Sequence, residues 1–148
     1  NMQFEIKRSG FPINIGEIEF FFGTTVEELT RFFDVQDEVE EKIAPLMKKR
    51  EKLVIDQENM TKSDAQSLIE ISNELNAIQY DALLGKGSYE KIYSKYQDAV
   101  QLFDLFDPIA ENVAEAIEND AKDREDKLAQ RKANMLKKKA LKNKKKKK

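Results

Sequence analysis

Apolar positions change period along this chain, and each change marks an element. From Gln3 to Arg8, Phe4 and Ile6 alternate with Glu5 and Lys7, the period of two that predicts a half-buried strand. Ser9, Gly10 and Pro12 break it. Ile13 to Phe22 is again strand-like, but its apolar parity moves from odd (Ile13, Ile15) to even (Ile18, Phe20, Phe22), with Gly16 at the change. A bulge or a turn at Gly16 reconciles the two registers, and the segment predicts a β-hairpin or a small meander.

After Gly23 the period becomes three and four. Thr25 and Glu28 have capping-box spacing and predict a helix start. Val26, Leu29, Phe33, Gln36 or Val39, Ile43, Leu46, Arg50 and Leu53 form its core-facing stripe, with a kink or short break expected just before Pro45. Thr61 and Ser63 offer caps for a second helix with a narrow seam at Leu68, Ile71, Leu75, Ile78 and Ala82. Gly85, as a left-handed C-cap, and Ser88, as the next N-cap, predict a tight turn that lets Tyr89, Ile92, Tyr93 and Tyr96 cover that seam. This third helix runs through Val100 and Phe103 to Phe106, and Asp107-Pro108 restarts the chain. A last helix (Ile109, Val113, Ile117, Leu128) loses its apolar stripe after Ile117 and is expected to project from the body.

The fold class expected is α+β, mainly α: an N-terminal β-hairpin or small meander packed on a three- to five-helix bundle. Residues 2–136 form a single domain in this reading, with the hairpin in 2–23 and the helices in 24–136. Nine of the last twelve residues are Lys, and 137–148 read as a disordered basic tail. No tandem repeat is visible. Asn1 before Met2 reads as the scar of a cleaved tag.

Composition narrows the chemistry. Of 148 residues, 40% are hydrophobic and 36% charged, and neither Cys nor His is present. That removes disulfides, thiolate metal sites, the thiol nucleophile and the commonest general base. Acid pairs such as Glu40 and Glu41, Glu70 and Glu74, and the Glu118-Asn119-Asp120 cluster have the chemistry for Mg²⁺ or acid–base work. With 28 acids in the chain, solvated helix faces explain them better. Gly85-Lys86-Gly87 lacks the remainder of a phosphate-binding loop and reads as a turn. No enzyme, catalytic residue, cofactor or metal is expected. Neither a membrane span nor a signal peptide is readable, so a cytoplasmic protein is the default expectation.

The formal net charge of −2 conceals a strong polarity, since no acid follows Asp126 while 12 of the 26 basic residues do. Residues 1–126 carry −14 and residues 127–148 carry +12. An acidic body repels nucleic acid, so only the tail is suited to attract it. The tail has no aromatic residue for base stacking, which argues against sequence-specific recognition. A small nucleic-acid-associated or regulatory protein that uses 137–148 as an electrostatic arm is the alternative function.

Aromatic residues supply the other candidates. Three consecutive aromatics at Phe20-Phe21-Phe22 must point to both faces of a sheet, so one of them misses the shared core. The segment Leu102-Phe103-Asp104-Leu105-Phe106 raises the same question of core against partner surface.

The start Met2-Gln3-Phe4-Glu5-Ile6, the strand Ile18-Glu19-Phe20, the helix Glu27-Glu28-Leu29-Thr30-Arg31-Phe32-Phe33 and the later Gly87-Ser88-Tyr89-Glu90-Lys91-Ile92-Tyr93 resemble the small tail assembly chaperones of siphophages and prophages of Gram-positive bacteria. The resemblance covers about residues 2–120 and lies in texture, size and element order, without an invariant chemical motif. It implies a non-enzymatic chaperone that binds apolar segments of the tape measure protein, is displaced by tail tube proteins, acts in the cytoplasm of the bacterial host and is absent from the mature virion. Some such proteins are made in two lengths by frameshifting, with which the A-rich codons of Lys144 to Lys148 are compatible. The partner-binding candidates are Phe21 and Phe22, then Phe32 and Phe106. If Phe21 points away from the helices, it and the unpaired strand edge favour a homo-oligomer.

Overall fold

The computed structural model describes residues 1–55, 58–124 and 127–146. An antiparallel hairpin, β1 (Gly10–Ile15) and β2 (Ile18–Gly23), precedes five helices: α1 (Val26–Val54), α2 (Lys62–Leu84), α3 (Ser88–Lys95), α4 (Ala99–Arg124) and α5 (Lys127–Lys146). The mainly helical fold with an N-terminal hairpin is the class the periodicities predict. None of the helices, among the described residues, is long and apolar enough to cross a membrane.

Gly16 and Glu17 form the two-residue turn between Ile15 and Ile18, and Gly16 adopts φ +58°. A side chain at Gly16 would also strike the Tyr96 ring, its Cβ falling 2.4 Å from Tyr96 Oη. The turn therefore sits directly on the end of α3, where Tyr96 Oη accepts the Glu17 amide at 2.9 Å and Lys95 pairs with Glu17 at 2.5 Å. The parity change thus marks a turn, which points Phe11, Ile13, Ile15, Ile18, Phe20 and Phe22 toward the helices. The Thr24 amide donates to Ser9 O at 3.1 Å, setting the phase of the ladder so that Pro12, which has no N–H, stands on the outer edge.

The alternation at Gln3–Arg8 does not form a strand. Residues 1–8 are exposed, because the β2 residues that pair with β1 end at Gly23 and the chain then turns into α1, leaving nothing for the segment to pair with.

Both prolines expected to break helices lie inside them, Pro45 in α1 and Pro108 in α4. Each is exposed, and so are Glu41 and Asp104, whose carbonyls each proline leaves without an amide donor. Water satisfies such a carbonyl, so the helix continues at a cost in stability. The break expected at Asp107-Pro108 lies instead at Tyr96–Asp98, where Asp98 caps α4 by accepting the Gln101 amide on its carboxylate (3.1 Å) and the Leu102 amide on its carbonyl (3.0 Å). Thr61 and Asp64 form a full capping box on α2. At α1, Thr25 accepts the Glu28 amide but its hydroxyl donates to the Glu28 carboxylate, a half-box. Gly87, not Ser88, occupies the N-cap of α3, and Gly85 (φ 110°, ψ 153°) lies outside the left-handed helical region.

Short α3 does not cover the α2 seam. Leu68, Ile71 and Leu75 pack with Val39 and Ile43 of α1 and Phe103 of α4, while α3 meets the adjacent polar and aromatic face of α2. There Asn76 Nδ2 donates to Tyr89 Oη (3.0 Å) and to Ala99 O (2.9 Å), Tyr89 Oη donates to Asn73 (2.6 Å), and Tyr80 Oη donates to Leu102 O (2.6 Å). Burial raises the pKa of both tyrosine hydroxyls, that of Tyr80 strongly, and keeps them protonated. Arg50, a polar member of the α1 stripe, is buried with its guanidinium 3.7 Å over the Phe103 ring and Nε donating to Ser72 at 3.0 Å. Burial lowers its pKa, partly opposed by the nearby Asp104.

The chain after Ile117 does not project. α5 returns along α4 and buries Ala129, Ala133, Leu136 and Ala140 against the core. The helix also continues beyond Leu136 to Lys146, where disorder was expected, because Ala140 prolongs the small-residue stripe and Lys137 and Lys139 reach Glu118 and Asp37. Residues 147 and 148 of the Lys run lie outside the described residues.

Pro45→Ala restores an amide donor and a favourable propensity at an exposed helix position, so it should stabilise the protein by about 1–3 kcal/mol, read as a raised midpoint in chemical denaturation. An unchanged midpoint would mean that the proline costs α1 nothing.

Candidate functional site

α1 and α2 run antiparallel, and one face of the pair is left open. Steps of three and four bring Val35, Glu38 and Lys42 of α1, then Lys49 and Lys52, to this face, and they bring Ala82, Ile78, Glu74, Ile71 and Ser67 of α2 opposite them. The resulting surface holds three recesses. The first, about 280 Å³, lies where β2 meets the helices and is lined by Phe21, Phe22, Phe32, Val35, Ala82 and Leu83, with Glu28 and Arg31 beside them. A second, about 530 Å³, shares Val35 and Ala82 with it and adds Val39, Ala77 and Ile78 between Glu38, Lys42, Asp81 and Lys86. The third, about 500 Å³, lies farther along, with Leu53 and Ile71 between Lys49 and Lys52 of α1 and Glu70 and Glu74 of α2.

Together the first two recesses form a groove with an apolar floor and rims of both signs. From Glu28 to Lys42 it follows α1 for about 21 Å at 1.5 Å per residue, the length of a four-turn helix. In the third recess the rims are sorted by sign, basic on α1 and acidic on α2. An amphipathic helix laid in such a groove places its apolar stripe on the floor and matches charges at the edges.

Three of the four expected partner-binding residues meet at the hairpin end of this groove. Phe22 and Phe32 form its floor, both largely buried, stacked edge to face with centroids 5.1 Å apart, and Phe22 also stacks on Phe11 at 5.4 Å. Phe21 projects to the opposite face of the sheet and is 39% exposed. Its ring is not bare. It lies across Gly10, whose missing side chain makes room (a Cβ there would fall 2.7 Å from the ring), and the Arg8 guanidinium sits 3.9 Å above it.

Phe106 is a correction. It is buried against Tyr80, with ring centroids 5.1 Å apart and edge-on, and does not line the groove. α4 continues through Pro108, so Phe106 stays on the inward face beside Leu102 and Phe103 instead of sitting at an exposed helix end. The groove also contains residues that the sequence assigned to no surface. Val35 lies one turn-step off the principal α1 stripe, and Ile78 and Ala82 belong to the α2 seam expected to be covered. The signal available was the width of the α1 apolar surface, since Phe32, Val35 and Val39 form a second stripe beside Leu29 and Phe33.

The acid pairs separate into different roles. Glu70 and Glu74 face the third recess, whereas Glu118 is held by Lys137 and Lys122, and Asp120 pairs with Arg124 at 3.1 Å. Among the described residues no group of three or more acids is placed to hold a metal ion. Comparison with family models, with curated proteins and with solved structures finds no match for this chain.

The hydrogen bond from Lys137, with help from Lys122, holds the Glu118 carboxyl below its ordinary range, against the opposing effect of desolvation. A carboxylate whose folded pKa is depressed contributes stability above its unfolded pKa and loses it as pH falls through the folded value. Acidification below the ordinary carboxylate range should therefore loosen α5 from α4, and Glu118→Gln should do so at neutral pH. Backbone NMR shifts of Ala133 and Ala140 report it; shifts that stay constant in acid would show that the apolar stripe alone retains α5.

Substitutions at the hairpin end should divide by burial. Phe32→Ala should cost about 3–5 kcal/mol, as for a buried aromatic, while Phe21→Ser should cost about 1 kcal/mol or less. Urea unfolding measures both, and equal losses would place Phe21 in the core.

Proposed function

We propose that this protein is a non-enzymatic assembly chaperone that holds apolar helical segments of an elongated partner, and that the partner is the tape measure protein of a phage tail. The observation that carries the reading is the α1/α2 groove, with its apolar floor, its charged rims and its aromatic end at Phe22 and Phe32. Apolar burial contributes about 25 cal/mol per Å², so a short helix seated there is held and still released when a better-matched partner arrives. Tail tube proteins supply that competition in the proposed cycle, which takes place in the host cytoplasm and leaves the chaperone out of the mature virion.

Co-expression with the tape measure protein of the same genome should raise that protein's solubility and bring the two down together. Val35→Asp, an exposed groove position, should abolish the effect without unfolding the chaperone. Unchanged solubility with no co-purification would contradict the proposal.

The outward face of α5 favours one further reading. Lys138 and Lys142 are exposed and point away from Glu118 and Asp37. In that reading the helix end is a non-specific electrostatic contact for nucleic acid, weakened steeply by salt. Gel shift of DNA and RNA by the full chain and by a chain ending at Leu136 tests it, and equal mobility would exclude the segment.

A further inference from the structure

Residues 2–8 precede β1, beyond the end of its pairing with β2. They retain the alternation of a strand, yet among the described residues they have no strand partner, and Phe4 and Ile6 are 81% and 96% exposed. An exposed segment with the alternation of a half-apolar strand and no sheet is a template for pairing. The outer edge of β1 in the same hairpin is blunted by Pro12, which has no N–H to offer. The arm is therefore open where the adjoining edge is closed.

The sequence of the arm discriminates between partners. Antiparallel pairing of two arms about a two-fold axis admits few registers, and charge separates them. With Glu5 on the axis, Glu5 faces Glu5 and the pair is repelled. With Ile6 on the axis, each Glu5 faces Lys7 of the second copy, Ile6 meets Ile6, and Phe4 faces Arg8. Directly opposed side chains lie on the same face of the ribbon, so this register gives one face of paired Glu5 and Lys7 and one face of Ile6 flanked by Phe4 against Arg8. Arg8 already sits over its own Phe21 ring at 3.9 Å, and in this register its other side takes Phe4 of the second copy.

We infer that residues 3–9 form a self-complementary arm that joins two copies of this chain through an antiparallel two-stranded ribbon centred on Ile6. The inference is independent of the client groove, which lies on α1 and α2. The ribbon lengthens each hairpin by the partner's arm and gives an isologous dimer.

The full chain should sediment as a concentration-dependent dimer. Glu5→Lys and Lys7→Glu should each raise the dissociation constant about tenfold, because each change creates two like-charged pairs by symmetry, and the double variant should return it to within about threefold of the parent. All these positions are exposed, so the thermal midpoint extrapolated to low concentration should not move. With no native Cys, Ile6→Cys should give a disulfide-linked dimer on mild oxidation, well ahead of Glu5→Cys. A monomer at high micromolar concentration overturns the inference. So does a dimer indifferent to the single charge reversals or not restored by the double one, the result expected if the arm pairs with β2 of the second copy or if copies meet elsewhere.

Discussion

The polar face of α2 holds the helical body together. Asn73, Asn76, Tyr80 and Asp81 each bond across to α3 or α4, and Asn76 spans both with a single amide group. The Asn76 and Tyr80 bonds are buried, where leaving one partner unmade costs about 1–3 kcal/mol, so they select one arrangement of the break between α3 and α4. The Ala99 and Leu102 carbonyls that accept them lie in the first turn of α4. Fixing that turn directs the whole helix, and with it the surface on which α5 and β1 pack. The same ordering places Tyr96 under the hairpin turn, which is how an N-terminal element comes to rest on a helix eighty residues away.

Part of the charge separation is taken up within the molecule. Lys137, Lys139 and Lys132 of α5 reach Glu118 of α4, Asp37 of α1 and the Phe33 ring. Exposed pairs of this kind contribute little individually. Their combined effect is to let a helix whose buried stripe is mostly alanine lie along α4, so that α5 is held by small side chains and ion pairs rather than by large apolar groups. The open face of α1 and α2 is on a different side, so the groove does not depend on α5 leaving.

Fold class, hairpin turn and the starts of α1 and α2 were legible because each has a local cause: parity at Gly16 and caps at Thr25 and Thr61, with the glycines at 85 and 87 marking the turn into α3. What was not legible depends on long-range context. Pro45 and Pro108 read as breaks because sequence does not reveal that they, with Glu41 and Asp104 one turn back, stand on the exposed sides of their helices. The Lys-rich segment read as disordered because its one buried apolar residue is Ala140, which carries weight only where a neighbouring helix presents a matching surface. Phe21 and Phe22 stood out as part of three consecutive aromatics and lie with Phe32 at one end of the groove, while Phe106, as buried as Phe22, faces Tyr80 away from it because α4 runs on through Pro108. Val35 and Ile78 escaped notice since they line the face shared by α1 and α2, whereas α3 packs on the Asn76 and Tyr80 face of α2.

Native-state amide hydrogen exchange tests the central claim, that the α2 clamp is the most stable part of the molecule. Amides of Ser72–Leu83 and of the first turns of α4 should exchange only through global unfolding, with α5 opening earlier and residues 2–8 unprotected. Exchange from α2 as early as from α5 would contradict the account.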